Sequence, residues 1–205
     1  LDEFPELPRA VLETLRQPIE TGEVVVARAN AHVKYPCRFL LIAAANPCKC
    51  GFLSDPARAC GKAPLCGEDY IGRISGPLMD RIDLRVEVPP VAFTDLDLPE
   101  TGESSVDVCT RVTRARTMQE ERFRDHSGVR VNSDAEGRLL EEVASPDSEG
   151  RDLLTRIAER FGLSARGYHR VLRVARTVAD LAGEAQVRKP HVAEAASFRL
   201  MLSKS

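Results

Sequence analysis

Five sets of side chains in this 205-residue chain stand at spacings that suit phosphate and metal chemistry. The chain opens L-D-E-F-P-E, with Asp2 and Glu3 adjacent. At the end of a strand, a first carboxylate can order Mg²⁺ on the β- and γ-phosphates, and the next can polarise an attacking water. An acidic pair alone is common on any surface, so its weight comes from the residues downstream. The apolar run R-F-L-L-I-A-A-A-N (38–46) ends on Asn46, which from a neighbouring strand can hydrogen-bond a γ-phosphate or the attacking water. G-P-L-M-D-R-I-D-L (76–84) sets Arg81 between a short helix and a strand. An exposed arginine there can reach a phosphate bound by an adjacent subunit and neutralise transition-state charge. L-S-A-R-G-Y-H-R (163–170) puts Arg166 in the first turn of a helix, from which it can point at a nucleotide between two domains.

The fifth set is C-x-C-x₉-C-x₅-C: Cys48, Cys50, Cys60 and Cys66. Four soft ligands in a Gly- and Pro-containing loop are the composition of a tetrahedral zinc site. The spacing is looser than paired C-x₂-C motifs, and the one-residue gap between Cys48 and Cys50 makes joint ligation less usual. Four reduced thiols in a flexible loop are the alternative. Lys49, Arg58 and Lys62 are expected to lower the thiol pKa values in either case. Cys37 and Cys109 are expected to be buried structural thiols.

These groups need particular elements to hold them. Leu7, Val11, Leu12, Leu15 and Ile19 recur at helical spacing over 7–21, with Pro8 suited to a first turn and Pro18 ending or kinking the helix. E-V-V-V-A-R-A-N-A-H-V-K-Y-P predicts a β-hairpin turning at 29–31 and carrying Arg28, Asn30, His32 and Lys34. The run 38–46 has the pattern of a strand buried on both faces of a parallel sheet. A loop (47–67), a short helix (about 68–75) and an alternating, half-exposed strand (82–88) follow. The acidic stretch 91–104 is the expected domain boundary. Beyond it the helices expected are 105–125, 134–145, 148–162, 165–182 and 189–203. Ser133–Asp134 and Ser164 serve as caps, and Gly162 and Gly183 as helix ends. On the 165–182 helix, Tyr168, Val171, Leu172, Ala175, Val178 and Ala179 form the buried face, with Arg173 and Arg176 expected on a solvated one.

In this order, L-D-E-F-P-E-L-P-R-A-V-L through I-A-A-A-N-P-C, then S-G-P-L-M-D-R-I-D-L-R-V-E-V-P, then G-L-S-A-R-G-Y-H-R-V-L-R-V-A-R, the chain is similar to the magnesium-chelatase-like AAA+ ATPases of the ComM/YifB family. The resemblance implies an α/β fold class: the C-terminal half of a AAA+ P-loop core, with a parallel sheet and a β-hairpin insert (1–104), followed by an all-α helical lid (105–205). It implies that Asp2 and Glu3 are the Walker B pair, Asn46 the first sensor, Arg81 the arginine finger acting in trans, and Arg166 the second sensor. The hairpin 23–36 corresponds to an insertion that points toward a ring's central pore, where Arg28, Asn30, His32 and Lys34 could contact DNA phosphates without reading sequence. The helix 105–125 resembles the extra helix this clade inserts before its lid. ATP and Mg²⁺ are the implied cofactors, and a hexameric ring of identical subunits and DNA the implied partners. The implied process is branch migration or recombination in natural transformation.

The family's G-x-x-x-x-G-K-[ST] loop is not among these residues, and the chain starts on Leu1 rather than Met. It therefore reads as a piece beginning inside Walker B, expected to hydrolyse no ATP alone because the cradling N–H groups and lysine are missing. Composition narrows the field further. Having 5% aromatic residues and no Trp argues against an aromatic stacking platform for nucleic acid. A net charge of −2 excludes a generally basic surface, though residues 151–189 carry nine bases against four acids. No apolar run reaches the roughly 20 residues of a membrane span, and there is no signal peptide, so the cytoplasm is the expected location. Two other readings stay open: a magnesium-chelatase motor inserting Mg²⁺ into a porphyrin, and a non-catalytic interaction module.

Overall fold

Proline and glycine placement divide the first helical stretch. Pro18 has no N–H to give the Thr14 carbonyl, and its ring crowds that oxygen. The stretch accordingly forms two short helices, α1 (Arg9–Thr14) and α2 (Arg16–Thr21), with Pro8 at the N-cap of the first. Gly22 closes α2 at φ 66°, a left-handed cap that L side chains resist, and its N–H bonds the Pro18 carbonyl. The computed structural model describes residues 1–28, 31–53, 55, 57–91, 94 and 102–200. The chain forms two compact units, Leu1–Ile82 and Asp83–Ser205.

In the first unit, α2 leads into strands β1 (Glu23–Arg28) and β2 (Ala31–Pro36), paired antiparallel from Glu23↔Pro36 to Arg28↔Ala31. Helices α3 (Leu65–Ile71) and α4 (Gly76–Met79) follow. The core is small: Phe4, Leu12, Ile74 and Leu78 are buried, with Leu7, Leu15, Ile19 and Met79 packed around them. Val11, expected on that apolar face, is exposed.

Two expected strands are corrected. The run 38–46 is extended but not buried on both faces: Leu40 is 84% and Ile42 71% exposed, because nothing among the described residues covers them. Its backbone is nevertheless partnered. The Leu1 amino group donates to the Ile42 carbonyl (2.8 Å), Ala44 N–H donates to the Leu1 carbonyl (2.8 Å), and Phe4 N–H donates to the Ala44 carbonyl (2.9 Å). The first two bonds are the slanted pair that parallel neighbours exchange. Residues 82–88 form no strand, since no described strand lies beside them; Arg85 N–H instead bonds the Phe198 carbonyl.

The second unit is helical: α5 (Ser105–Arg122), α6 (Gly137–Ala144), α7 (Ser148–Phe161), α8 (Ala165–Ala182) and α9 (Lys189–Leu200). Helix α8 packs against α5, α6 and α9, and α7 packs against α9. Among the described residues thirteen buried side chains form its core, including Leu140, Leu154, Val171, Leu172 and Val192, against four in the first unit. Ser164 caps α8 by accepting from Gly167 N–H (3.0 Å), and Gly162 and Gly183 end α7 and α8 with positive φ, as expected. The Ser133–Asp134 cap is not found. Those residues lie in a 3-10 turn, Asp134 accepts from the N–H groups of Arg130 and Val131, and α6 starts three residues later on Gly137.

Arg176, expected on a solvated face, is 2% exposed. Helical spacing did assign Val171, Leu172, Ala175 and Ala179 to the core, but it could not show that an anion waits there. Asp180, fully buried, accepts from Arg176 Nε (3.1 Å), from both terminal nitrogens of Arg122 (2.9 and 2.5 Å) and from Asn132 Nδ2 (2.8 Å). No helix among the described residues is long and apolar enough to cross a membrane.

Candidate functional site

Asp2 and Glu3 lie where the N-terminal segment leaves its pairing with residues 42–44 and turns into a 3-10 helix (Phe4–Glu6). Both are exposed. The turn is made at Glu3, whose φ of 49° and ψ of 41° are left-handed; among the described residues it alone is a non-glycine with positive φ. A bulky side chain in that region costs on the order of 1–3 kcal/mol and is held there by its surroundings. The Asp2 carboxylate accepts the Glu3 N–H (2.8 Å), and Phe4, buried in the core, bonds back to Ala44. The backbone that carries the two carboxylates is thus held in a corner. Asn46, also exposed, lies two residues beyond the last carbonyl that pairs with this corner.

Charge around the corner is balanced by residues that no sequence motif singles out. Glu6 pairs with Arg73 (2.7 Å), whose guanidinium lies 5.9 Å from the centre of the Tyr70 ring. Tyr70 is buried, and its phenol is pushed above its ordinary pKa by that burial and then by the nearby carboxylates of Glu6, Glu3 and Asp2. The only signal in the sequence is the excess of acids in residues 1–27, which needs basic partners somewhere. An acidic corner with exposed oxygens suits a hard cation such as Mg²⁺, which keeps several waters and takes one or two carboxylates.

Arg81 differs from expectation. It is 8% exposed, with its guanidinium paired to Glu20 of α2 and donating to the Pro77 carbonyl (2.7 Å). The short α4, capped by Ser75, delivers it to this position. Arg81 and Asn46 belong to the first unit. Arg166 belongs to the second, exposed at the second position of α8.

The hairpin residues divide between two faces. In the observed register His32 lies opposite Ala27 and Lys34 opposite Val25, on one face, whereas Arg28 opposite Ala31 shares the other with Val26 and Val33. Arg28, His32 and Lys34 are exposed, and Lys34 also approaches Glu23 (3.5 Å). Asn30 lies outside the described residues.

The cysteines do come together. The sulfurs of Cys48, Cys50 and Cys66 lie within 4.8 Å of one another, Cys48 and Cys50 at 3.0 Å, whereas the Cys60 sulfur lies outside that group. The Cys50 thiol is lowered to about 6, by the Cys48 thiol first and then by backbone hydrogen bonds at Phe52 and Cys60. Of the basic residues expected to do this, Arg58 instead pairs with Asp55 and stacks on Phe52. Burial pushes Cys66 up to about 12. Cys37 is half-buried and Cys109 exposed, so neither is the buried thiol expected.

Comparison with known proteins adds to this geometry. The family described as "Magnesium chelatase, subunit ChlI" matches residues 1–96, and "Magnesium chelatase, subunit ChlI C-terminal" matches residues 102–199. The chain is 38% identical over 203 residues to the competence protein ComM of Haemophilus influenzae, covering 98% of this chain and 38% of that protein. It is 42% identical over 202 residues to an uncharacterised protein of Mycobacterium tuberculosis (97% of this chain, 39% of that one). With YifB of Escherichia coli it shares 36% over 202 residues (97% and 38%). The chain therefore spans under two fifths of the length of these relatives.

Proposed function

This chain belongs to the magnesium-chelatase-like family that includes ComM and YifB, and from that premise we propose that it is the downstream half of an ATP-driven ring motor acting on DNA. The observation that carries the reading is the corner at Glu3: two adjacent carboxylates, the second in a left-handed conformation, on a segment bonded to the one that ends at Asn46. A strained residue persists where surrounding structure over-determines it, and such residues cluster at functional sites.

Each side chain takes one role. Asp2 orders Mg²⁺ on the phosphates, and Glu3 polarises the attacking water. The Asn46 amide orients that water or the γ-phosphate. Arg81 neutralises charge at a neighbouring subunit's site, and Arg166 senses nucleotide from the helical unit. The phosphates themselves need a cradle of backbone N–H groups and a lysine, and no G-x-x-x-x-G-K-[ST] run occurs in these 205 residues. Residues 1–205 alone accordingly turn over no ATP. In the whole protein, a hexamer, hydrolysis drives movement along DNA in recombination or transformation, in the cytoplasm.

DNA separates this reading from a porphyrin-metalating motor and from a passive interaction module. Duplex or branched DNA should stimulate the ATPase of the full-length protein, and replacing Arg28 and Lys34 with Ala should reduce that stimulation. Each cation removed from a phosphate should also lower the salt dependence of DNA binding by about one in the log–log slope, uniformly across sequences. Stimulation unchanged in the double variant removes the hairpin from the DNA path. An ATPase indifferent to DNA sinks the proposal itself.

A further inference from the structure

The stretch from Cys37 to Pro64 contains no described α-helix or β-strand. Within 47–67 the described residues bury just Cys48 and Gly67, so no hydrophobic core holds this loop together. Segments this long without regular structure are uncommon in compact domains unless they are functional or stapled. Yet the backbone here converges on a point. At Gly67 a Cβ would lie 2.6 Å from Leu53 Cδ2 and 3.1 Å from the Pro47 carbonyl, so the start and the end of the loop pass close together, and a side chain there would displace Leu53 and press on the Pro47 carbonyl. Gly51, at φ 79°, turns the chain after Cys50, and its N–H bonds the Cys48 carbonyl (3.0 Å). The residues brought to this convergence are the four cysteines.

The geometry points to a structural zinc centre formed by Cys48, Cys50, Cys60 and Cys66. Zn–S bonds of about 2.3 Å in a tetrahedron place sulfurs about 3.8 Å apart. Cys48, Cys50 and Cys66 already lie within 4.8 Å of one another, so they close on an ion by shifts of about an ångström, and Cys60, a thiol of the same loop, is the fourth ligand proposed. All six cysteines are unbridged, and the cluster offers sulfur alone, which selects Zn²⁺ over hard cations. Binding is coordination without redox change: the ligands bind as thiolates and their protons pass to solvent. The ion joins the residue two positions after Asn46 to the first turn of α3, which runs on through Ile74 and α4 to Arg81. Its energetic role is the one a hydrophobic core plays elsewhere. Zinc at this centre requires nothing of the ATPase reading, and either can fail without the other.

The test is metal content of the 205-residue protein, purified under reducing conditions without a histidine tag or chelator. We expect about one zinc ion per chain, released when a mercurial blocks the thiols. Replacing zinc with Co²⁺ should give the thiolate-to-cobalt charge-transfer band and the strong visible bands of a tetrahedral site. Cys48→Ser and Cys66→Ser should lose the metal, whereas Cys37→Ser and Cys109→Ser should keep it. Because Cys48 is buried and its variant could misfold, Cys60→Ser and chelation of the unaltered protein provide the second measurement: metal lost, with the helical circular dichroism of the second unit retained. Folded, reduced protein that carries no zinc and gives no cobalt–thiolate band overturns the assignment, as does a Cys60→Ser variant with unchanged metal content and cobalt spectrum.

Discussion

Replacing Arg81 with Ala in the full-length protein is expected to lower ATP turnover by about 10³- to 10⁵-fold, the range an arginine finger supplies to phosphoryl transfer. The structure helps to separate this loss from misfolding. Arg81 is buried, but its partner Glu20 keeps about a third of its side chain in solvent, so on truncation that carboxylate recovers water instead of being stranded. The fold should survive while catalysis fails. Arg81→Lys should rescue little, because an ammonium lacks the planar fork that spans two phosphate oxygens. The pairing with Glu20 carries its own consequence: for Arg81 to reach a neighbour's phosphate, this ion pair has to open when subunits assemble. Mixing subunits adds a sharper test. Arg81→Ala and Glu3→Gln subunits, each inactive alone, should regain part of the activity in mixed rings, where some interfaces join an intact Arg81 to an intact Glu3. No recovery would place Arg81 in its own subunit's site.

The largest effect on stability is expected at Asp180→Ala. The carboxylate removed accepts four hydrogen bonds from Arg122, Arg176 and Asn132, and Arg176 is itself 2% exposed. Removing one partner of a buried pair costs about 3–5 kcal/mol, since the remaining charge has neither water nor counter-ion. For a helical unit of this size that corresponds to a fall in melting temperature on the order of 10–20 °C. Arg176 keeps the carbonyls of Glu184 and Ala185 (2.6 and 2.8 Å), which offset part of the cost but do not neutralise it. Exchanging Arg122, Arg176 and Asp180 together for apolar residues of similar volume should recover most of the loss. Thermal and chemical denaturation of the two variants checks both statements; a single variant as stable as the parent would mean that the network contributes nothing net.

The helices of the second unit were legible because periodicity, Ser164 and two glycines agree on their limits. The 3-10 turn before α6 was not: Asp134 resembles a helix cap in sequence, and the competing backbone donors of Arg130 and Val131 become visible only once folded. The strand reading of 38–46 caught the extended backbone and missed the exposure, because apolar composition reports what a segment needs covered and not what covers it. At the candidate site, the motif order nominated Asp2, Glu3, Asn46 and Arg81. The Glu20 partner of Arg81 lies 61 residues away in sequence, and no local pattern joins them. Tyr70 and Arg73 were hidden for the same reason. The cysteine spacing was readable as a cluster, whereas the close pass of Pro47 and Leu53 at Gly67 was not, because a lone glycine carries no signal by itself.

The central claim is that Glu3 polarises the water that attacks ATP, and a Glu3→Gln exchange in the full-length protein tests it most directly. Turnover and ATP affinity should be measured on the same preparation. The account predicts turnover reduced by about 10²- to 10⁴-fold, the usual worth of a positioned general base, with ATP affinity preserved because the amide keeps the shape of the corner. Turnover at the unaltered level would contradict it.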